Sequence, residues 1–185
     1  MSIPTKFEPK TLRELPLDDD ALQARLLELT TTVAALRQLY AKEPGPLNAS
    51  HLGRALQQRS LALRLQERYD EARQNKDEAI AIWRELGRAK ATFLCRLQRA
   101  LIDHQQGAYA RAAETLEALE AELDAGCAVY TDQLAEARAR CYHALGRRSD
   151  ALAQIARALQ VRQQRGNPRH IEATLALRTI ITEAG

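Results

Sequence analysis

The sequence predicts an all-α solenoid of stacked helical hairpins, with one extra helix before the stack and one capping helix after it. Three observations carry this. The 185 residues are rich in Ala, Leu, Arg, Glu and Gln and poor in aromatic (4%) and β-branched residues, a composition of strong helix formers. Gly87, Gly126 and Gly166 each follow a long helical run and lie 39 and 40 residues apart. A small residue recurs upstream of them at Ala72, Ala112 and Ala151, with spacings of 40 and 39. A fixed period near 40 made of helix, tight turn and helix marks an array in which each unit buries its apolar face against its neighbours.

Residues 1–17 carry Pro4, Pro9 and Pro16 without hydrophobic periodicity, so an extended arm is expected there. Asp18–Asp20 place negative charge where a helix start exposes its N–H groups, and a helix over 19–42 follows. In that helix Leu22, Leu26, Leu29, Val33, Leu36 and Tyr40 form a seam spaced like two packed helices. Its cover is expected to be the start of the array in the same chain, the alternative being the same helix of a second chain in a homodimer. EPGPLNAS (43–50) reads as a loop, with Asn48 and Ser50 as capping candidates.

The array then runs as helices 50–67 and 69–86, 89–106 and 109–125, 129–145 and 148–165, closed by a cap over 168–183. Gly107 and Gly146 supply the turns inside the second and third hairpins, and Gly166-Asn167-Pro168 stops one helix and starts the next. Glu67 occupies the corresponding turn position of the first hairpin, which leaves a single continuous helix over 50–86 open. The chain thus divides into an arm (1–17), an N-terminal helix and loop (18–49), and the array with its cap (50–185).

ERYDEARQNKDEAI, GAYARAAETLEAL and GRRSDALAQIARAL superpose across the three hairpins. Gly107, Tyr109 and Ala112 give a turn glycine, an aromatic two residues on, and a small residue at the helix crossing. Gly146 and Ala151 repeat this with Arg148 in the aromatic place, and Tyr69 with Ala72 repeat it without the glycine. Over roughly residues 50–166 the chain resembles tetratricopeptide repeats of the longer variety. That resemblance implies a right-handed array whose first helices line a concave groove and whose second helices form the convex back. It further implies a protein-interaction module, an adaptor or chaperone that binds a peptide or helix of a client. Bacterial secretion chaperones with three such repeats are similar in size and layout.

Stepping 100° per residue through helix 89–106 puts Phe93, Leu94, Leu97, Ala100, Leu101 and His104 on the core arc, with Gln98, Arg99, Ile102, Gln105 and Gln106 opposite. In helix 129–145, Tyr130, Leu134, Ala137, Cys141 and Ala144 form the core arc, with Arg138 and Tyr142 opposite. Steps of about 40 align Gln58, Gln98 and Arg138 in one row and Ala62, Ile102 and Tyr142 in the next, beside Arg59 and Arg99. The candidate peptide-binding residues are therefore Gln58, Arg59, Gln98, Arg99, Ile102, Arg138 and Tyr142. Arg pairs with carboxylates, amides bond a backbone and the apolar pair offers a pocket, which suits an acidic client. The same residues also read as a solvated helix face.

No phosphate-cradling loop, catalytic carboxylate pair or nucleophile with a base is present, so no enzyme activity, catalytic residue or cofactor is expected. His104 and His143 lie 39 residues apart and lack the close spacing of metal ligands; a hydrogen-bonded core histidine and no metal are expected. Cys95, Cys127 and Cys141 are odd in number and unpaired in sequence, as in a reduced, intracellular protein. The net charge of +3 and the interspersed glutamates argue against a nucleic-acid binder, and a GC-rich genome would give the same Arg bias. Neither a signal-peptide core nor a run of ~18 apolar residues occurs, so a cytoplasmic protein without a membrane segment is expected. The alternative function is a self-associating regulatory module whose groove is occupied in cis.

Overall fold

The computed structural model describes residues 4–183. Those residues form a two-stranded hairpin, β1 (Thr5–Phe7) and β2 (Glu14–Pro16), followed by eight α-helices: α1 (Asp19–Lys42), α2 (Pro46–Leu65), α3 (Tyr69–Glu85), α4 (Ala89–Gln105), α5 (Tyr109–Ala121), α6 (Thr131–Ala144), α7 (Arg148–Arg165) and α8 (Pro168–Glu183). Each helix packs on the next in the chain, and α2, α4 and α6 also touch in series. That double adjacency is the all-α helical-repeat fold expected from the sequence.

Ala72, Ala112 and Ala151 are fully buried, as helix crossings require. The turns share one device. The chain passes through a left-handed residue at Gly87, Gly107, Gly146 and Gly166, with φ between 62° and 89°. Within the first three hairpins' turns the next N–H reaches back five residues, as from Ala108 N to the Asp103 carbonyl (2.9 Å) and from Arg147 N to the Tyr142 carbonyl (2.8 Å). Glu67 takes this role in the first hairpin at φ 60°, and Arg68 N bonds the Leu63 carbonyl at 2.9 Å. The first hairpin is thus two helices and not one. Gly126 departs from the pattern: α5 already ends at Ala121, and a turn with a 3-10 segment (Ala128–Tyr130) leads into α6.

Two other boundaries move. The loop after α1 is only residues 43–45, because Pro46 at the first helical position is pre-set for helix and Asn48 caps backward onto the Glu43 carbonyl (2.8 Å). At the start of α1, Asp18 accepts from Ala21 N (2.8 Å), the expected cap. Leu22, Leu26, Leu29 and Val33 are at most 4% exposed and pack with Leu52, Leu56 and Leu63 of α2. The seam of α1 is therefore covered within its own chain by the start of the array, the cover expected from the sequence. At the other end, Arg162 of α7 donates to Asp132 (2.9 Å) and Thr174 (2.6 Å), tying α6 and the cap α8 together.

The largest correction concerns the arm; its residues 1–3 lie outside the described residues. Residues 4–17 are not merely extended but fold into the hairpin, with Thr5 opposite Pro16, Lys6 opposite Leu15 and Phe7 opposite Glu14. Glu8 organises the loop, its carboxylate accepting from Lys10 N (2.9 Å) and Thr11 N (2.8 Å). Leu12 sits at φ 54°, a strained backbone for a branched residue, yet its side chain is completely buried in the core of α4–α7. Burial of that leucine, about 2 kcal/mol, offsets the strain.

Candidate functional site

The first helices α2, α4 and α6 line a groove, and the hairpin sits across one end of it. Its anchor is Glu14. The carboxylate lies between two buried guanidiniums, Arg64 Nη2 at the end of α2 (2.5 Å) and Arg140 Nη1 of α6 (2.7 Å). Burial alone would raise the Glu14 carboxyl; the two arginines outweigh it and bring it down to about 2. Gln105 of α4 grips the backbone of the same residue, accepting from Glu14 N (3.0 Å) and donating to the Glu14 carbonyl (2.6 Å). This amide pair is how a side chain holds an extended peptide. Around it, Arg140 Nε donates to the Leu12 carbonyl (3.2 Å), Arg13 Nη2 meets Glu67 (2.9 Å), His143 Nε2 lies 2.8 Å from the Pro9 carbonyl, and Arg140 stacks over Phe7.

Arg64, His104 and His143 occupy equivalent places in α2, α4 and α6, spaced 40 and 39 residues. All three face the hairpin end. His104 is fully buried against Tyr109, with ring centroids 5.2 Å apart. Burial, reinforced by the charges of Arg140 and Arg64, lowers it to about 3, so it is neutral at ordinary pH. It is a core histidine as expected, but neither ring nitrogen has a hydrogen-bond partner among the described residues.

Beyond Glu14 the groove contains a cavity of about 230 Å³ between α2, α4 and α6. Lys76 of α3 reaches it from behind. Only 2% exposed, its ammonium donates to Gln98 Oε1 (2.9 Å) and lies 3.5 Å from the Gln57 carbonyl, and burial lowers it to about 8.

Of the seven residues expected to bind a peptide, Gln98 and Ile102 line this cavity, Ile102 as a buried wall only 1% exposed. The other five lie elsewhere. Gln58 is exposed and accepts from Arg25 of α1 (3.0 Å). Arg59 bridges Thr30 of α1 (3.1 Å) and Asn75 of α3 (3.0 Å), and Arg99 donates to Asp77 of α3 (2.9 Å). Arg138 pairs with Glu120 of α5, which also takes Arg157 of α7. Arg59, Arg99 and Arg138 thus bond to side chains of the neighbouring helices α1, α3 and α5 and tie those helices together. Tyr142 is 3% exposed, donates to Glu117 of α5 (2.7 Å) and lies under the Arg147 guanidinium. The register failed because α4 is apolar on two sides: Cys95 and Ile102 are core, while Leu94 and Leu101, expected in the core, are only partly buried. Glu14, Arg64, Gln105, Lys76 and Arg140 were missed.

No family model matches the sequence, and no curated protein does. Among solved structures, BtubC (BKLC) from P. vanneervenii is similar at a TM-score of 0.49 and 16% identity, over 89% of this chain and 84% of that one. A likeness that distant transfers no residue roles. Among the described residues no helix is long and apolar enough to cross a membrane, and no cluster of His, Cys, Asp and Glu could hold a metal ion.

Proposed function

We propose that this tetratricopeptide-like array is a protein-interaction module, an adaptor or chaperone that holds an extended segment of a client in the groove of α2, α4 and α6. The observation that carries the reading is the chain's own segment 12–16, held there as a peptide would be: backbone by Gln105 and Arg140, side chain by Arg64 and Arg140. Such a surface supplies main-chain bonds for affinity and charged pockets for specificity. The three free cysteines are buried, which suits a reducing cytoplasmic compartment.

The same segment favours a second, regulatory reading. The hairpin is a built-in competitor for one end of the groove, and a client that outbids it gains that end as well.

Selection of a random dodecapeptide display library against the full chain tests the interaction reading. Leu61 is 41% exposed on the cavity rim, and Arg99 does not line the cavity but pairs with Asp77 of α3. Peptides that bind the wild type and Arg99→Glu but not Leu61→Trp support a groove-binding module. Binders indifferent to Leu61→Trp, or no binders at all, refute it. Tighter binding of the same peptides after removal of residues 1–17 supports the regulatory reading, and unchanged binding refutes it.

A further inference from the structure

The cavity beside Glu14 has an unbalanced set of charges. Arg64, Lys76 and Arg140 line it at 4%, 2% and 2% exposure, so all three cations are desolvated. Glu14 supplies one carboxylate, and it spans Arg64 and Arg140. Lys76 meets only neutral acceptors, Gln98 Oε1 and the Gln57 carbonyl. The other acids do not serve it: Glu136, a second carboxylate in the cavity wall, is engaged by Arg162, and burial pushes the Cys95 thiol up. Arg64 Nη1 and Arg140 Nη2 are buried as well and have no acceptor among the described residues. Buried charge is costly unless paired, and buried N–H donors are nearly always bonded. Two unpaired guanidinium donors and an ammonium bonded only to neutral acceptors, all on residues that line one cavity, are complementary to a second anion.

Size and surroundings narrow what that anion is. About 230 Å³ admits a side chain but not a folded element. Leu61, Leu101 and Ala137 give the walls an apolar stretch suited to methylenes below a charged head. Glu14 is itself received as an internal residue, with chain continuing on both sides and its N–H and C=O both bonded. The groove is therefore built for a carboxylate carried in mid-chain.

We propose that the groove reads an acidic side chain within an extended client segment, its carboxylate seated among Lys76 Nζ, Arg64 Nη1 and Arg140 Nη2 with Glu14 still in place. This rests on the peptide-binding reading above and names the residue that the client must present. Lys76 is the selective member, because it alone of the three has no carboxylate at all.

The groove-bound peptides from the display selection test it in the full chain. Methionine has an unbranched apolar stem of similar reach, so Lys76→Met keeps the packing and is checked by a melt; Lys76→Gln takes its place if that variant does not fold. The wild-type pool should carry Asp or Glu at one fixed position, and the variant's pool should not. In a selected peptide, Glu→Gln should weaken binding to the wild type roughly 10- to 100-fold, the range for a hydrogen-bonded charge, and leave binding to the Lys76 variant unchanged. Peptides that need the groove yet show no acidic position overturn this proposal while the interaction reading stands. A Glu→Gln loss that persists undiminished in the Lys76 variant overturns it too. If no peptide depends on the groove, both fall together.

Discussion

Replacing Glu14 with Gln keeps the shape of the side chain and removes its charge, leaving Arg64 and Arg140 buried without a counter-ion. Removing one partner of a buried ion pair typically costs about 3–5 kcal/mol, because the remaining charge stays desolvated. The array has a way out that a closed core lacks. The hairpin runs into the helices through residues 17 and 18, and a swing about that junction lets water reach both guanidiniums. The loss is then capped at the free energy with which the hairpin docks, and it appears as local opening without global unfolding. A shift of about 3 kcal/mol raises the open population on the order of a hundredfold.

Amide exchange reads this directly. In the wild type Leu12 N is bonded to the Glu8 carbonyl at 2.8 Å and Glu14 N to Gln105 at 3.0 Å, so both should exchange slowly. In Glu14→Gln they should exchange on the order of a hundred times faster, and proteases should cut at Lys6, Lys10 and Arg13, while amides in the middle of α4 and α5 keep their protection. Exchange in residues 12–16 that matches the wild type would mean that Leu12 alone holds the hairpin, and the electrostatic account of the groove would be wrong.

Three further changes probe the fold and its charges. Glu67→Gly should stabilise the chain by about 1 kcal/mol, since glycine accepts φ 60° without a Cβ penalty and the lost Arg13 pair is mostly exposed; a melt shows a rise of a few degrees. Ala112→Leu and Ala151→Leu should each cost roughly 1–3 kcal/mol by overpacking fully buried crossings, and unchanged melts in both would refute the repeat register. Lys76 is held down to about 8 against the 10.5 of an exposed lysine, so between those values the unfolded chain binds a proton that the folded chain has lost. Lys76 should therefore add stability as pH rises from 8 to 10.5, read in denaturant titrations as the difference between wild type and Lys76→Met, because the raised thiols of Cys95, Cys127 and Cys141 pull the other way above pH 9 in both proteins.

What could be read from the sequence follows from what repeats. Glycine turns, crossing alanines and caps are local requirements imposed once per hairpin, and they placed α3, α4, α7 and α8 within a residue or so of their observed bounds. Glu67 shows the limit of that logic: the tertiary turn forces a left-handed backbone onto a residue that does not prefer it. The groove was harder. A helix packed between two others has apolar residues on more than one side, so the 100° stepping that finds one stripe cannot say which flank is open. Arg138 was aligned with Gln58 and Gln98, with Arg59 and Arg99 beside that row, and all three arginines bond to side chains of neighbouring helices. The neighbouring row of Arg64, His104 and His143 has the same spacing and was visible only in part, through its two histidines. The hairpin was invisible to periodicity because each strand has three residues, and its stability comes from the array beneath it.

That dependence makes the hairpin end of the groove the weak point of the protein in acid. His104 lies there, buried beside Arg140 of α6 and Arg64 of α2 with the Tyr109 ring against it, and protonation would add a third positive charge to that site. Its value of about 3 against 6.5 in an exposed chain means that between those limits only the unfolded state takes up the proton. Stability is full above 6.5 and falls by about 1.4 kcal/mol per pH unit below it, close to 3 kcal/mol by pH 4.5. Glu14 then adds a second proton, taken up by the unfolded state alone, from about 4.5 down to about 2, steepening the fall before the hairpin's own anchor is discharged. Urea titrations of wild type and His104→Gln at pH 7, 6, 5 and 4.5 separate this from general acid denaturation. The comparison uses the slope with pH, so it does not depend on how stable the variant is at pH 7. The variant should lose most of the decline between pH 6.5 and 4.5 and retain the one below it. An equal slope in both proteins would show that His104 is reached by water when protonated, and the sealed hairpin end described here would have to be open.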